Sequence, residues 1–379
     1  MQYKVTALTP LLVGDGRELS PIDYMVWKDQ VNVLDQARIF RLLARGPRLE
    51  GYLTQLRRAT KLDFASWGGF AQNFSQRRIP FESTDMTAIW NAAPSESLFI
   101  PTFAAETRGS YLPGSALKGA VRTGLVFSRW SANTIEKLAS SIEDRVPRRA
   151  AEPAEAAAGA SQVKILGISD SQTIPGSAFK VYLTRTASLD TRQAGKPQLA
   201  WKVAGRGSVS GSRASDATAV FAEMAAPGTT LSGEWIERAF LENPELMRAL
   251  GWRSVPEIGS IFNAVNDFAA VQLKSHAQYA ETAGLERVQS AIRRLETELA
   301  SVRETKHSCL VALGWGAGFL SKAAVADTEN AAYRKILRAV PAIGRSLREN
   351  VPFPKTRRIV FLGGQPATLP GWVRVDLRP

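Results

Sequence analysis

Apolar positions fall into short runs with two different periods, so strands and helices are both expected. Residues 5–13 predict a first strand that stops at Gly14-Asp15-Gly16. Met25-Val26-Trp27 and Val31-Asn32-Val33 flank Lys28-Asp29-Gln30 and predict a short hairpin. Asp35 is placed to cap a helix with Ile39, Leu42 and Leu43 on one face, and Gly46-Pro47 stops it. Leu49, Tyr52, Leu53 and Leu56 then repeat at helical spacing. Residues 98–103 predict a strand, followed by a Gly/Pro turn and a helix over about 116–130. Further strands are expected at 163–168, 179–183, 219–224, 309–313, 358–362 and 372–377, with a helix at 329–340. Leu285, Val288, Ile292, Leu295, Leu299 and Val302 step by 3, 4, 3, 4 and 3. That seam is shorter than the three or four heptads a coiled coil wants, so a long amphipathic helix docked on its own sheet is expected. Strict βαβα alternation is absent, which favours an α+β fold.

A chain of 379 residues suggests two domains. Residues 144–162 are rich in Ala, Glu and Pro and poor in large apolar groups. They read as a linker between an N-terminal unit over 1–143, with a helical insertion, and a C-terminal unit over 163–379. Within the second unit, the polar stretch 186–218 reads as a long loop or an RNA-touching finger.

Charge narrows the partners. Lys+Arg number 48 and Asp+Glu 35, a formal net charge of +13. Such a balance asks for a polyanion, nucleic acid first and an anionic membrane second. The excess is distributed: Arg-Arg doublets stand at 57–58, 77–78, 148–149, 293–294 and 357–358. Spread charge suits a folded surface that tracks a phosphate backbone. The most apolar stretch, 309–320, is about 12 residues long and too short to span a bilayer. The first residues lack the pattern of a signal peptide, so a cytoplasmic location without membrane contact is expected. Cys309 is the sole cysteine and His276 and His307 the only histidines. No disulfide within the chain, Cys-based zinc finger or two-His local metal motif can be written with them, and neither metal nor cofactor is expected.

Two constellations carry candidate chemistry. In the run 111–123, Pro113-Gly114 makes a turn and Ser115 is a natural N-cap for a helix beginning at Ala116. Leu117, Val121 and Leu125 face the core, and Lys118 and Arg122 fall one turn apart on another face. A helix start with two cations in register attracts phosphate. An ordinary capped surface helix fits the same residues. Gly109 and Gly114 have Walker A spacing, but Ser115-Ala116 stand where Lys-Ser/Thr is required, so nucleotide binding of that kind is excluded. The second constellation, Gly314-Trp315-Gly316-Ala317-Gly318-Phe319-Leu320-Ser321-Lys322, lets a backbone come close to a ligand or a neighbour. Its third glycine is one place early for a dinucleotide loop. A bend lying along RNA, with Trp315 or Phe319 as a stacking face and Lys322 on a phosphate, fits better, and a tight turn between packed elements is the plain alternative. Pro175-Gly176-Ser177-Ala178-Phe179-Lys180 echoes 113–118 but leads into strand-like residues, so coincidence is favoured over duplication.

Catalytic candidates are few. His276 and His307 could act as general base and acid in a metal-independent RNA cleavage, and a surface or half-buried place for both is the plainer reading. Asp15 and Asp23 lie in a loop region without a third metal ligand, and Cys309 reads as a small buried residue.

These pieces together resemble the RAMP (repeat-associated mysterious protein) subunits of type III CRISPR complexes. Residues 8–16 with 19–24 resemble their opening segment, 112–125 their second motif, and 314–322 their glycine-rich loop. Ile168-Ser169-Asp170-Ser171 and Pro354-Lys355-Thr356-Arg357-Arg358 narrow the resemblance to the fifth-subunit family of the type III-A (Csm) effector. The resemblance implies two ferredoxin-like (RRM-like) domains with helical insertions and a subunit without catalysis of its own. It implies a place at the end of the helical backbone over the 3′ part of the guide RNA. Its partners would be guide and target RNA, a sister backbone subunit and a small subunit, with trimming nucleases recruited for guide maturation. Gly114, Ser115, Lys118, Arg122, Gly314, Trp315, Gly316, Gly318 and Lys322 are the expected RNA contacts. A metal-independent guide-processing endoribonuclease is the alternative.

Overall fold

The computed structural model describes residues 1–44, 46, 48–58, 73–130, 132–144, 160–190, 197–203, 210–252, 254–323, 328–344, 347–348 and 351–378. Most of the expected linker, residues 145–159, lies outside the described residues, as do Arg148, Arg149, 191–196 and 204–209, while the rest of the stretch 186–218, expected as a loop, includes strand residues at 186–190 and 198–202.

The chain begins with strand β1 (Gln2–Ala7), the hairpin β2 (Tyr24–Val26) and β3 (Gln30–Leu34), and helices α1 (Gln36–Leu43) and α2 (Arg48–Arg58). Strand β4 (Ser75–Pro80) and helices α3 (Gly114–Arg129) and α4 (Ala132–Asp144) follow. Next come β5 (Leu166–Ile168), β6 (Phe179–Asp190), β7 (Gln198–Lys202), β8 (Val220–Ala225) and β9 (Thr230–Glu237). The last part holds α5 (Ile258–Thr282), α6 (Glu286–Arg303), β10 (Ser308–Ala312), α7 (Ala331–Ala339), β11 (Thr356–Leu362), β12 (Gln365–Thr368) and β13 (Trp372–Arg378). The fold is α+β.

One antiparallel sheet has the order β10-β13-β1-β9-β5. Strand β1 lies between the last strand, with Gln2 opposite Arg378, and β9, with Gln2 opposite Glu234. A second sheet is organised by the twelve-residue β6, which pairs with β8 along its first half, β7 along its second, and β11 on its other edge. Strands β2, β3 and β4 make a small third sheet. Sequence on both sides of 144–162 therefore shares one sheet, and one apolar cluster runs from Tyr3 to Leu377. Helix α3 packs on α5, which lies with α6 against β10. The expected seam of α6 is its buried stripe: Val288, Ile292, Leu295, Leu299 and Val302.

Some boundaries shift for local reasons. The first strand ends at Ala7, because Leu8 to Val13 is irregular, and Leu11 forms only an isolated bridge with Ala225. Burial of Leu11, Leu12 and Val13 makes that segment look strand-like in sequence. The strand expected over 98–103 is reduced to Ile100–Pro101. Asp35 caps α1 by accepting from the Arg38 N–H at 2.9 Å, yet only Ile39 and Leu43 are buried, while Leu42 faces outward. The echo at 175–180 is a single 3₁₀ turn feeding β6, so its context differs from that of 113–118.

Candidate nucleic-acid interface

The two constellations are each tied down by a partner distant in sequence. Helix α3 starts at Gly114, two residues before the expected position, with Pro113 at the cap and Ser115 exposed inside the first turn. Its capping acceptor comes from Asp170, whose Oδ1 takes the Gly114 N–H at 2.8 Å. The Leu112 N–H donates to Ser171 Oγ at 2.9 Å, and the Ser171 N–H returns to the Leu112 carbonyl at 2.9 Å. Tyr3 Oη donates to the Ser169 carbonyl at 3.0 Å, fixing the same segment to β1. A Cβ on Gly114 would stand 2.3 Å from the Ile168 carbonyl oxygen, so only glycine lets the two segments close.

This geometry bears on half of the expected site. The positive end of the α3 dipole faces the Asp170 carboxylate. Lys118 Nζ donates to the Leu166 carbonyl at 2.5 Å, and burial, then Arg238, lowers its pKa. Arg122 lies one turn further along the same side of the helix. Gly114 and Lys118 thus meet the 166–171 segment, and none of Gly114, Ser115, Lys118 and Arg122 lines the cleft that the glycine loop shares with the other side of α3.

The opposite side of α3 does meet that loop. Ala116, Gly119, Ala120 and Thr123 form a stripe of small side chains at i, i+3, i+4 and i+7. Lys118 sits about 200° around the helix from Ala116. The stripe forms one wall of a cleft of about 670 Å³. Gly14, Arg17 and Glu18 of the N-terminal segment form the second wall, and Gly314, Trp315, Ser321 and Lys322 the third. Both cations are exposed: Arg17 has 76% of its side chain exposed and pairs with Asp15 at 3.4 Å, and Lys322 faces outward.

The glycines of the loop serve close packing. Gly314, Gly316 and Gly318 have φ of +73°, +85° and +81°. A Cβ on Gly314 would lie 2.1 Å from the Leu12 carbonyl oxygen, to which the Trp315 N–H donates at 2.7 Å. A Cβ on Gly316 would meet Pro370 at 2.8 Å, whereas Gly318 has only one distant neighbour. The Trp315 ring is covered by the Arg358 guanidinium, 3.9 Å from its centroid. A tight turn and a ligand-facing bend are here the same structure, with Gly314 and Gly316 packed and Gly318 and Lys322 outward.

The catalytic candidates settle elsewhere. His276 is buried on α5, and its Nδ1 accepts from Arg357 Nε at 3.0 Å. Burial, followed by the Arg357 charge, holds its pKa well below the ordinary imidazole value, so it is a neutral acceptor. His307 lies in the exposed turn before β10. Asp15 accepts from the Arg17 N–H at 3.0 Å and Asp23 from the Ser20 N–H at 2.7 Å, so both carboxylates build turns. Among the described residues no group of three or more His, Cys, Asp or Glu is gathered to hold a metal ion, and no helix is long and apolar enough to cross a membrane. Cys309 is fully buried, and burial pushes its thiol pKa up.

A family profile described as RAMP superfamily matches residues 4–188, which includes the first wall, α3 and its capping segment. The CRISPR system Csm5 protein of Methanocaldococcus jannaschii is 24% identical to this chain, over 38% of the chain and 34% of that protein. The chain thus matches about a third of that relative's length. Across 99% of this chain, the fold matches all of a chain in a Csm–crRNA–target RNA ternary complex of a type III-A CRISPR-Cas system, with a TM-score of 0.67 and 18% identity. The crystal structure of T. onnurineus Csm5 is matched with the same coverage, a TM-score of 0.61 and 19% identity.

Of the residues lining the cleft, the sequence pointed to Gly314, Trp315 and Lys322 and did not point to Arg17 or the small-residue stripe. The i, i+3, i+4, i+7 spacing of Ala116, Gly119, Ala120 and Thr123 was the available signal.

Proposed function

We propose that this chain is the Csm5-type RAMP subunit of a type III-A CRISPR effector, binding guide RNA without catalysing a reaction. One observation carries the reading. The opening segment, the second motif and the glycine loop, separated by roughly 100 and 200 residues in sequence, converge on one cleft that has Arg17 and Lys322 at its edge. The cleft takes a sugar–phosphate strand, with the small-residue stripe letting the backbone approach and the two cations meeting phosphates. The chain caps the backbone over the 3′ part of the guide, touches a sister backbone subunit and a small subunit, and supports guide maturation through recruited trimming nucleases. The likeness to a chain from a complex with crRNA and target RNA supports this placement. The state of His276, neutral and bonded to Arg357, speaks against its acting as a general acid.

The test is charge reversal at the cleft edge. Arg17→Glu with Lys322→Glu should weaken guide RNA retention and reduce the salt slope of binding by about 1.4–1.8 units, the share of two phosphate contacts. Binding of wild-type strength in the double variant would overturn the site. Discrete cleavage of repeat RNA in EDTA, lost in His307→Ala, would replace the non-catalytic reading with an endoribonuclease.

A further inference from the structure

Behind the glycine loop lies a second cavity of about 300 Å³, which shares Lys322 with the strand-binding cleft. Gly316, Gly318 and Lys322 close it on one side, and Arg357 and Arg358 of β11 with Thr186 of β6 close it on the other. Among the described residues no carboxylate lines it.

Its arginines are held in an unusual way. Arg357 is only 6% exposed. Its Nε donates to His276 Nδ1 at 3.0 Å, and its remaining nitrogens donate to the Pro354 carbonyl, to the Thr356 carbonyl at 3.0 Å and to Ser275 Oγ at 3.5 Å. The face of the guanidinium rests 4.6 Å from the Tyr279 centroid. Arg358 lies on Trp315 and reaches Thr184 Oγ1 at 3.4 Å. Every one of these partners is neutral. Elsewhere Arg77 pairs with Glu223, Arg303 with Asp267, and Arg374 with Glu298 and Asp376. Among the described residues no such carboxylate pair forms at Arg357, Arg358 or Lys322.

Buried charge without a counter-charge is costly, and the hydrogen bonds to neutral acceptors offset only part of that cost. Two adjacent arginines held this way, with an exposed lysine at the mouth, make a cavity suited to an anion. Guanidinium forks suit tetrahedral oxyanions, and threonine hydroxyls supply further donors.

We propose that this cavity binds a phosphoryl group, contacted by Lys322, Arg357 and Arg358. The group belongs to an RNA strand or to a free mononucleotide or phosphate ion, and only the first source rests on the RNA-binding reading above. The full chain, freed of RNA, is unfolded thermally in inorganic phosphate and in chloride at equal ionic strength, and titrated with AMP by calorimetry. Phosphate should raise the wild-type Tm, and the Lys322→Gln/Arg358→Gln double variant should lose that rise and about tenfold in AMP affinity. Lys322→Gln alone, at an exposed position, gives the same direction should the double variant fail to fold. Arg17→Glu, outside the cavity, should keep the phosphate response while losing strand retention, so the two readings fail separately. AMP binding abolished by a bound oligoribonucleotide identifies the strand as the source, and AMP binding unchanged on RNA-loaded protein identifies a free ligand. No phosphate response in the wild type, or an equal response in the variants, overturns the proposal.

Discussion

His276 shows how far a residue's surroundings decide its chemistry. In sequence it was one of two groups suited to acid–base work. In the fold it is a buried acceptor for Arg357, beside Trp372 in an edge-to-face pair with centroids 6.3 Å apart. Its pKa is depressed, so the unfolded chain takes up a proton at this site that the folded chain refuses. The stability tied to that refusal is present above the ordinary imidazole pKa of about 6.5 and is lost as pH falls below it. The expected slope from this group is about 1.4 kcal/mol per pH unit below about 6.5. Denaturant unfolding at pH values between about 6.5 and 5.5 should show that slope in the wild type and a smaller one in His276→Gln. Equal slopes in both proteins would show that the imidazole is not held neutral. Nothing in the sequence near His276 announced this environment, because Arg357 lies 81 residues away.

Helices were the most legible elements where one face alone is buried. The stripe of α6 and the Asp35 cap of α1 follow directly from spacing and cap chemistry. Helix α3 was harder, since both its sides are engaged: one on the 166–171 junction, the other on the cleft. Periodicity placed Leu117 and Val121 inside, yet it could not tell which polar side faces a ligand. Nor could it name Asp170, 56 residues on, as the acceptor for Gly114. The two glycines of this helix should respond oppositely to one substitution. Gly114→Ala forces a Cβ against the Ile168 carbonyl and should destabilise by about 1–3 kcal/mol. Gly119→Ala meets no atom within 4 Å and should stabilise by about 0.5–1 kcal/mol through the better helix former. Chemical denaturation of both variants checks the pair, and a stabilised Gly114→Ala would refute the closeness of that junction.

For the molecule as a whole, charge and composition pointed to a polyanion partner, and the α+β class was readable from the mixture of periods. No local pattern showed that the stretches on either side of 144–162 share one sheet. Pairing of β1 with β9 and β13 joins residues more than 200 positions apart, a relation carried by register and not by any local pattern. Residues 1–150 and 155–379, produced as separate polypeptides, should each fail to unfold cooperatively and should recover a common transition when produced together. A cooperative melt of 1–150 alone would show an independent N-terminal unit.

The placement of β1 against β13 also sets an order of events in the cell. Gln2 faces Arg378 across the sheet, so this ladder cannot close until the residues between them have left the ribosome. Through most of synthesis Tyr3 and Val5, both fully enclosed at the end, lack one of their flanking strands. A nascent chain of this kind calls for shielding during translation, and a stalled ribosome would leave it as a sticky intermediate.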